Sequence, residues 1–310
     1  KICKLFPTVV ILLMLCASFA SRSLEFQSEL LGQIDVVSTI TFLVLSSITF
    51  PFALFVYYRI LTMREFANLY IIRMLAYHGL CIFTASMMTL ILIQFTNWPS
   101  TFQFYEYFKT TFVSPVLRLF TDFIAMVIEF LFMSITINRI LSIKYSFFLR
   151  KYDQLLYRIS MMMSVVISIV VCLPECASQY DYVVIQVAGG ELAHLPKYTT
   201  NEWAQVPMGI ATVVGSLVTL ALNLVLCYLV SSARKRHNHL TNNSAEQGIL
   251  LTSLIYFLGK LSYAVIGVVV AITDDIGLSY SMTAVSAVDI TLPFWYMMYA
   301  SHSLRRTVMS

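Results

Sequence analysis

The chain has 310 residues, of which 59% are hydrophobic and 12% charged, with a mean hydropathy of +0.79 and a formal net charge of +4. A soluble domain carries about a quarter charged residues, so this composition leaves too little polar surface to face water. It excludes a soluble multidomain protein and points to a bilayer as solvent; the small net charge argues for no nucleic-acid partner.

The first segment, Lys1-Ile2-Cys3-Lys4 followed by an apolar run to Cys16 and Ala17-Ser18-Phe19-Ala20, has the basic start, short apolar core and small residues of a secretory signal peptide over 1–20. The alternative is an eighth membrane segment, but the run falls short of the ~20 residues a span needs and contains Pro7. Longer apolar runs follow at 36–58, 70–95, 117–138, 158–174, 207–230, 249–272 and 281–299. Each approaches the length that crosses ~30 Å of hydrocarbon at 1.5 Å per residue. The expected fold is an all-α, seven-transmembrane bundle over 21–310. Pro51 and Pro293 fall within the first and last spans, where neighbouring helices satisfy the freed carbonyl. The longest connection is 175–206. The six cysteines, Cys3, Cys16, Cys81, Cys172, Cys176 and Cys227, show no Cys-x-x-Cys spacing.

Lys and Arg set the expected orientation. Arg59 and Arg64, then Arg139, Lys144, Arg150, Lys151 and Arg158, then Arg234-Lys235-Arg236, then Arg305-Arg306 all fall on one side of seven spans. The other side is rich in acids, among them Glu25, Glu29, Glu106, Asp181 and Asp274. The basic side is therefore expected in the cytoplasm, with the N-terminus outside. The Asn242-Asn243-Ser244 sequon falls on the cytoplasmic side and stays unmodified.

Ionisable groups inside a span are costly and usually functional. Here they are Arg73, His78, Asp122, Glu129, Lys260 and Asp289. Asp122 and Glu129 are seven apart and share a helix face; Arg118 is spaced to pair with Asp122. One reading is a set of ion pairs that fix packing. The other is a ligand cavity or switch lined by Asp122, Glu129, Lys260 and Asp289, with Trp98 and Trp203 at its entrance. Arg73 is expected to snorkel to the interface. A lone His78 reads as a packing residue, and the chain offers no metal-ligand set, no cofactor motif and no catalytic motif. The chain is expected not to be an enzyme. At the end of the third span, Arg139 is either an inside-positive anchor or a contact for a cytoplasmic partner.

Several of these residues carry a family resemblance. Asn138-Arg139 closing the third span and Pro293-x-x-Tyr296 in the seventh resemble a rhodopsin-type G-protein-coupled receptor. More narrowly, Thr136-Ile137-Asn138-Arg139, the Asp289 to Pro293 stretch running into Ser303-Leu304-Arg305-Arg306, and Ala245-Glu246 resemble nematode serpentine chemoreceptors of the gamma and V classes. The resemblance covers roughly 34–306. The Asp-Arg-Tyr triplet of ordinary rhodopsin-type receptors is Asn138-Arg139-Ile140 here, Leu292 replaces the Asn before the last-span Pro, and the second span carries His78-Gly79 without the usual acid. The resemblance implies a plasma-membrane receptor, in sensory cilia, that binds an extracellular small molecule or peptide. It implies a heterotrimeric G protein at Asn138 and Arg139 and a helix switch at Pro293 and Tyr296. The rival expectation is a transporter or ligand-gated channel that uses the intramembrane Asp, Glu and Lys.

Overall fold

A computed structural model describes residues 29–66, 69–95, 101–109, 111–177, 180–186, 192–198, 206–236 and 257–259, together with Thr291, Phe294, Trp295, Met298 and Arg306. The described chain is almost wholly helical. Its helices are α1 (Glu29–Thr62), α2 (Tyr70–Thr89), α3 (Phe102–Phe108), α4 (Val113–Lys144), α5 (Ser146–Cys172) and α6 (Val206–Arg236). A π-helical turn, Leu90–Gln94, prolongs α2, and tight turns at Arg64–Phe66 and Leu173–Ala177 follow α1 and α5. Strand β1 (Tyr180–Gln186) pairs antiparallel with β2 (Leu192–Tyr198), Tyr180 opposite Tyr198 and Gln186 opposite Leu192.

Four stretches are long and apolar enough to cross a membrane: Tyr70–Leu92, Val113–Lys144, Tyr152–Cys172 and Pro207–Ser232. They match the second to fifth expected spans, so the chain is a helical membrane protein. The first expected span, 36–58, lies inside α1. Apart from isolated positions, the sixth and seventh spans lie outside the described residues, as does the expected signal peptide 1–20.

Two connections differ from expectation. The stretch between the third and fourth expected spans is not a loop but two helix ends. Only Tyr145 separates α4 from α5, at φ −133° and ψ 50°. No Gly or Pro interrupts that stretch, and its Leu, Arg, Lys and Gln are good helix formers. The long 175–206 connection contains the β1–β2 hairpin. β-Branched Val183, Val184 and Ile185 favour the strand, and Pro196 is tolerated because a two-stranded ribbon consists only of edges.

α4 is the axis of the described bundle and packs against α2, α5 and α6. Ile124, Ile128 and Phe132 meet Cys81, Ile82 and Ala85 of α2. Leu131 and Ile135 meet Met74 of α2, with Tyr157 and Met161 of α5 packed beside them. A second core joins Phe50, Ala53, Val56 and Tyr57 of α1 to Ala76 and Phe83 of α2 and to Phe294 and Met298. A Cβ on Gly79 would stand 2.3 Å from the Tyr57 ring, so glycine is what lets α1 and α2 approach here. The Trp295 indole donates to Thr49 Oγ1 at 3.0 Å and its ring stacks on Phe52, which fixes this part of the seventh segment on α1.

The chain path gives the bundle two ends. The end of α2, α3, the start of α4, the hairpin and the start of α6 gather at one, where β1 touches α4 and β2 touches α3 and the π turn. The other carries Arg59, Arg64, Arg139, Lys144 and the Arg234–Arg236 run.

Candidate functional site: the polar stripe of α4

Arg118, Asp122, Glu129, Thr136 and Arg139 follow one another at intervals of four, seven, seven and three, which keeps them on one side of the helix. From Arg118 to Arg139 the stripe spans about 32 Å at 1.5 Å per residue, the thickness of the hydrocarbon layer. Asp122 and Glu129 are each 4% exposed, Thr136 is fully buried and Arg139 is 8% exposed. A carboxylate buried to this degree costs several kcal/mol unless it is paired.

Asp122 is paired within its own helix. Arg118 Nε donates to its Oδ2 at 2.9 Å, the spacing one helical turn provides. A cationic ligand at Asp122 therefore competes with Arg118. Glu129 faces α6. Its Cγ and Oε1 lie 3.1 and 3.4 Å from where a Cβ on Gly215 would stand, so the missing side chain of Gly215 makes room for the carboxyl group. Thr219 and Asn223 continue that face of α6 at intervals of four, both buried, and the Asn223 amide donates to the Thr219 carbonyl at 2.8 Å. Sequence reasoning missed Gly215, Thr219 and Asn223, although small and polar residues at intervals of four in an apolar helix are a readable signal of an inward face.

α5 also packs against α4. Ser164 and Ser168 are buried, with Cys172 one turn further on. Their hydroxyls donate to the carbonyls four residues earlier, at 2.8 and 2.6 Å. Satisfied within their own helix, these serines contribute small size and a close helix approach rather than chemistry. His78 is buried with its ring on Phe132, centroids 5.6 Å apart, the packing role expected of it. Among the described residues no three His, Cys, Asp or Glu gather as a metal site.

At the basic end, Asn138 is 3% exposed and neither atom of its amide has a hydrogen-bond partner. Such buried, unsatisfied amides are uncommon and call for a cause. Asn138 lies one turn beyond Ile135, whose cluster packs against Tyr157. The Tyr157 ring meets Tyr70 at 5.3 Å and the Arg73 guanidinium at 6.0 Å. The Arg73 guanidinium thus lies over an aromatic ring, with its Nε buried. A cation over a ring face is held by the ring quadrupole.

The hairpin end is capped by hydroxyls. Tyr105 of α3 is buried and its hydroxyl donates to the Ile91 carbonyl. Tyr182 of β1 reaches the Leu92 carbonyl at 3.5 Å, and Thr101 donates to the carbonyl of Phe95. A helix end leaves its last carbonyls without partners, and here three hydroxyls from two segments supply them. The Tyr105 and Tyr182 rings meet at 5.6 Å. Burial, and then the neighbouring Tyr182, push the Tyr105 phenol well above its ordinary pKa. The sequence showed no local signal for this cap.

Of the other expected site residues, Lys260, Asp289, Trp203, Pro293 and Tyr296 lie outside the described residues, as does Trp98. No protein-family model matches the chain, and no curated protein matches it.

Proposed function

We propose that this chain is a G-protein-coupled chemosensory receptor of the plasma membrane, with its N-terminus outside and no enzymatic activity. The observation that carries the reading is the buried stripe on the central helix, which runs from Arg118–Asp122 near the hairpin to Asn138–Arg139 at the basic end. The resemblance of Asn138-Arg139 and Pro293-x-x-Tyr296 to rhodopsin-type receptors, and of the wider chain to nematode serpentine chemoreceptors, supports it. Basic residues gathered opposite the hairpin support a cytoplasmic location for that end.

In this reading a small molecule or peptide binds between the helices below the hairpin and meets the Arg118–Asp122 pair, with Glu129, Lys260, Asp289 and Trp203 completing the pocket. It favours an active arrangement only by binding that arrangement more tightly than the resting one. The change reaches Asn138, whose unpartnered amide acquires a partner when the helices shift, and Arg139 engages the G protein. Pro293 and Tyr296 supply the bend in the last helix. Sensory cilia are the location the resemblance implies.

A transporter or ligand-gated channel is the second reading, favoured by buried Asp122 and Glu129 on one helix face. Orientation separates the two. With sequons engineered into 21–28 and 187–191, the receptor reading expects glycosylation in microsomes at both and none at Asn242. Modification at Asn242 inverts the protein and removes it. Arg139→Ala is expected to abolish G-protein nucleotide exchange in cell membranes at unchanged surface expression; unaltered exchange would sink the role given to Arg139.

A further inference from the structure

α3 and the start of α4 carry an aromatic surface that none of the roles above uses. Tyr107 is 74% exposed and Phe112 80%, and Phe104, Val113, Val116 and Phe120 are also exposed. Phe112 leads directly into α4, and Val113, Val116 and Phe120 repeat at intervals of three and four on one face of it. In water such a patch would be a liability.

The length of α4 gives its depth. The helix has 32 residues and is about 48 Å long, well beyond the ~30 Å of hydrocarbon. Counting about 20 residues back from Arg139, where the helix leaves the apolar layer at its basic end, places the other boundary near Arg118 and Leu119. Phe104, Tyr107 and Phe112 precede that boundary, and Phe120 stands at it. This is the headgroup level, where aromatic rings with one apolar and one wet side collect. The charges of α3 suit it as well: Lys109 Nζ and Glu106 Oε1 pair at 2.6 Å, so the segment adds no net charge.

The geometry points to an interfacial anchor, in which Phe104, Tyr107, Phe112 and Phe120 insert at the polar–apolar boundary of a phospholipid leaflet. The buried side of the same short helix carries Tyr105, whose hydroxyl caps α2 and whose ring meets Tyr182 of the hairpin. The anchor thereby holds the hairpin cap at the membrane surface. The inference rests on membrane residence alone; it stands whichever leaflet this is and whatever the protein does.

The test uses the full chain with its native cysteines changed to serine, in phosphatidylcholine vesicles. A nitroxide is attached at Tyr107→Cys, at Phe112→Cys, and at Val166→Cys on the exposed face of α5 as a lipid reference. Collisions with dissolved oxygen and with a water-soluble nickel chelate are measured at each. Oxygen is expected to dominate at all three, with Tyr107 and Phe112 reading shallower than Val166. Nickel-dominated labels at both positions would put α3 in water and overturn the anchor. Labels shielded from both reagents, or broadened by a second nitroxide, would mean that protein covers the patch, and would overturn it equally. The three labelled side chains, Tyr107, Phe112 and Val166, are all exposed.

Discussion

α4 and α5 meet at Tyr145, are similarly apolar, and are built in opposite senses. The most apolar stretch of α4 is 61% buried and that of α5 17%. α4 hides Asp122, Glu129 and Asn138. α5 hides Ser164 and Ser168 and turns Ile159, Met162, Val166, Ile169 and Val170 outward. Lipid tails are as apolar as leucine, so an apolar side chain does not mark the interior of a membrane protein. Polar and small residues do. Charged groups locate the central helix, because there they are held away from lipid; small ones locate a contact face, because they let backbones approach.

The largest effect that would break this contrast is Asp122→Ala, which leaves Arg118 without its carboxylate. Losing one partner of a buried ion pair costs about 3–5 kcal/mol, whereas replacing both with apolar residues is far milder. The single variant is expected to lose thermal stability in detergent sharply, and the Arg118→Leu/Asp122→Leu pair to regain most of it. A single variant that melts with the parent would mean that the charges do not hold the axis. Next is Ser168→Leu, which forces a large side chain into a fully buried position of α5, a helix packed on α4. Overpacking of this kind costs about 1–3 kcal/mol, read as a lower melting midpoint, and no change would mean that the seam is loose. The smallest is Met162→Ala on the outward face of α5, expected to stay within about 0.5 kcal/mol. A large loss there would show that protein, not lipid, covers that face.

Part of the site was legible before the structure. The Arg118–Asp122 pair follows from a spacing of four and the shared face of Asp122 and Glu129 from a spacing of seven, since both are properties of one helix. The placement of Glu129 against Gly215 was not, because it depends on how α4 and α6 pack. The contact of Arg73 with Tyr157 was not legible for the same reason: Tyr157 comes from another helix. The 139–158 stretch was misread because charged residues were taken as the end of a helix, whereas long Arg and Lys side chains let a helix continue past the hydrocarbon.

By itself the sequence determined membrane residence, the positions of the spans from 70 to 230 and the ion pair within α4. These depend on local composition and on the 3.6-residue period, which need no partner. Only the tertiary structure decided which helix lies at the centre, which glycine receives Glu129, and that Tyr105 and Tyr182 close the end of α2. Those outcomes depend on contacts between residues far apart in the chain, where packing and the need to satisfy buried polar groups choose among faces that local sequence leaves equivalent.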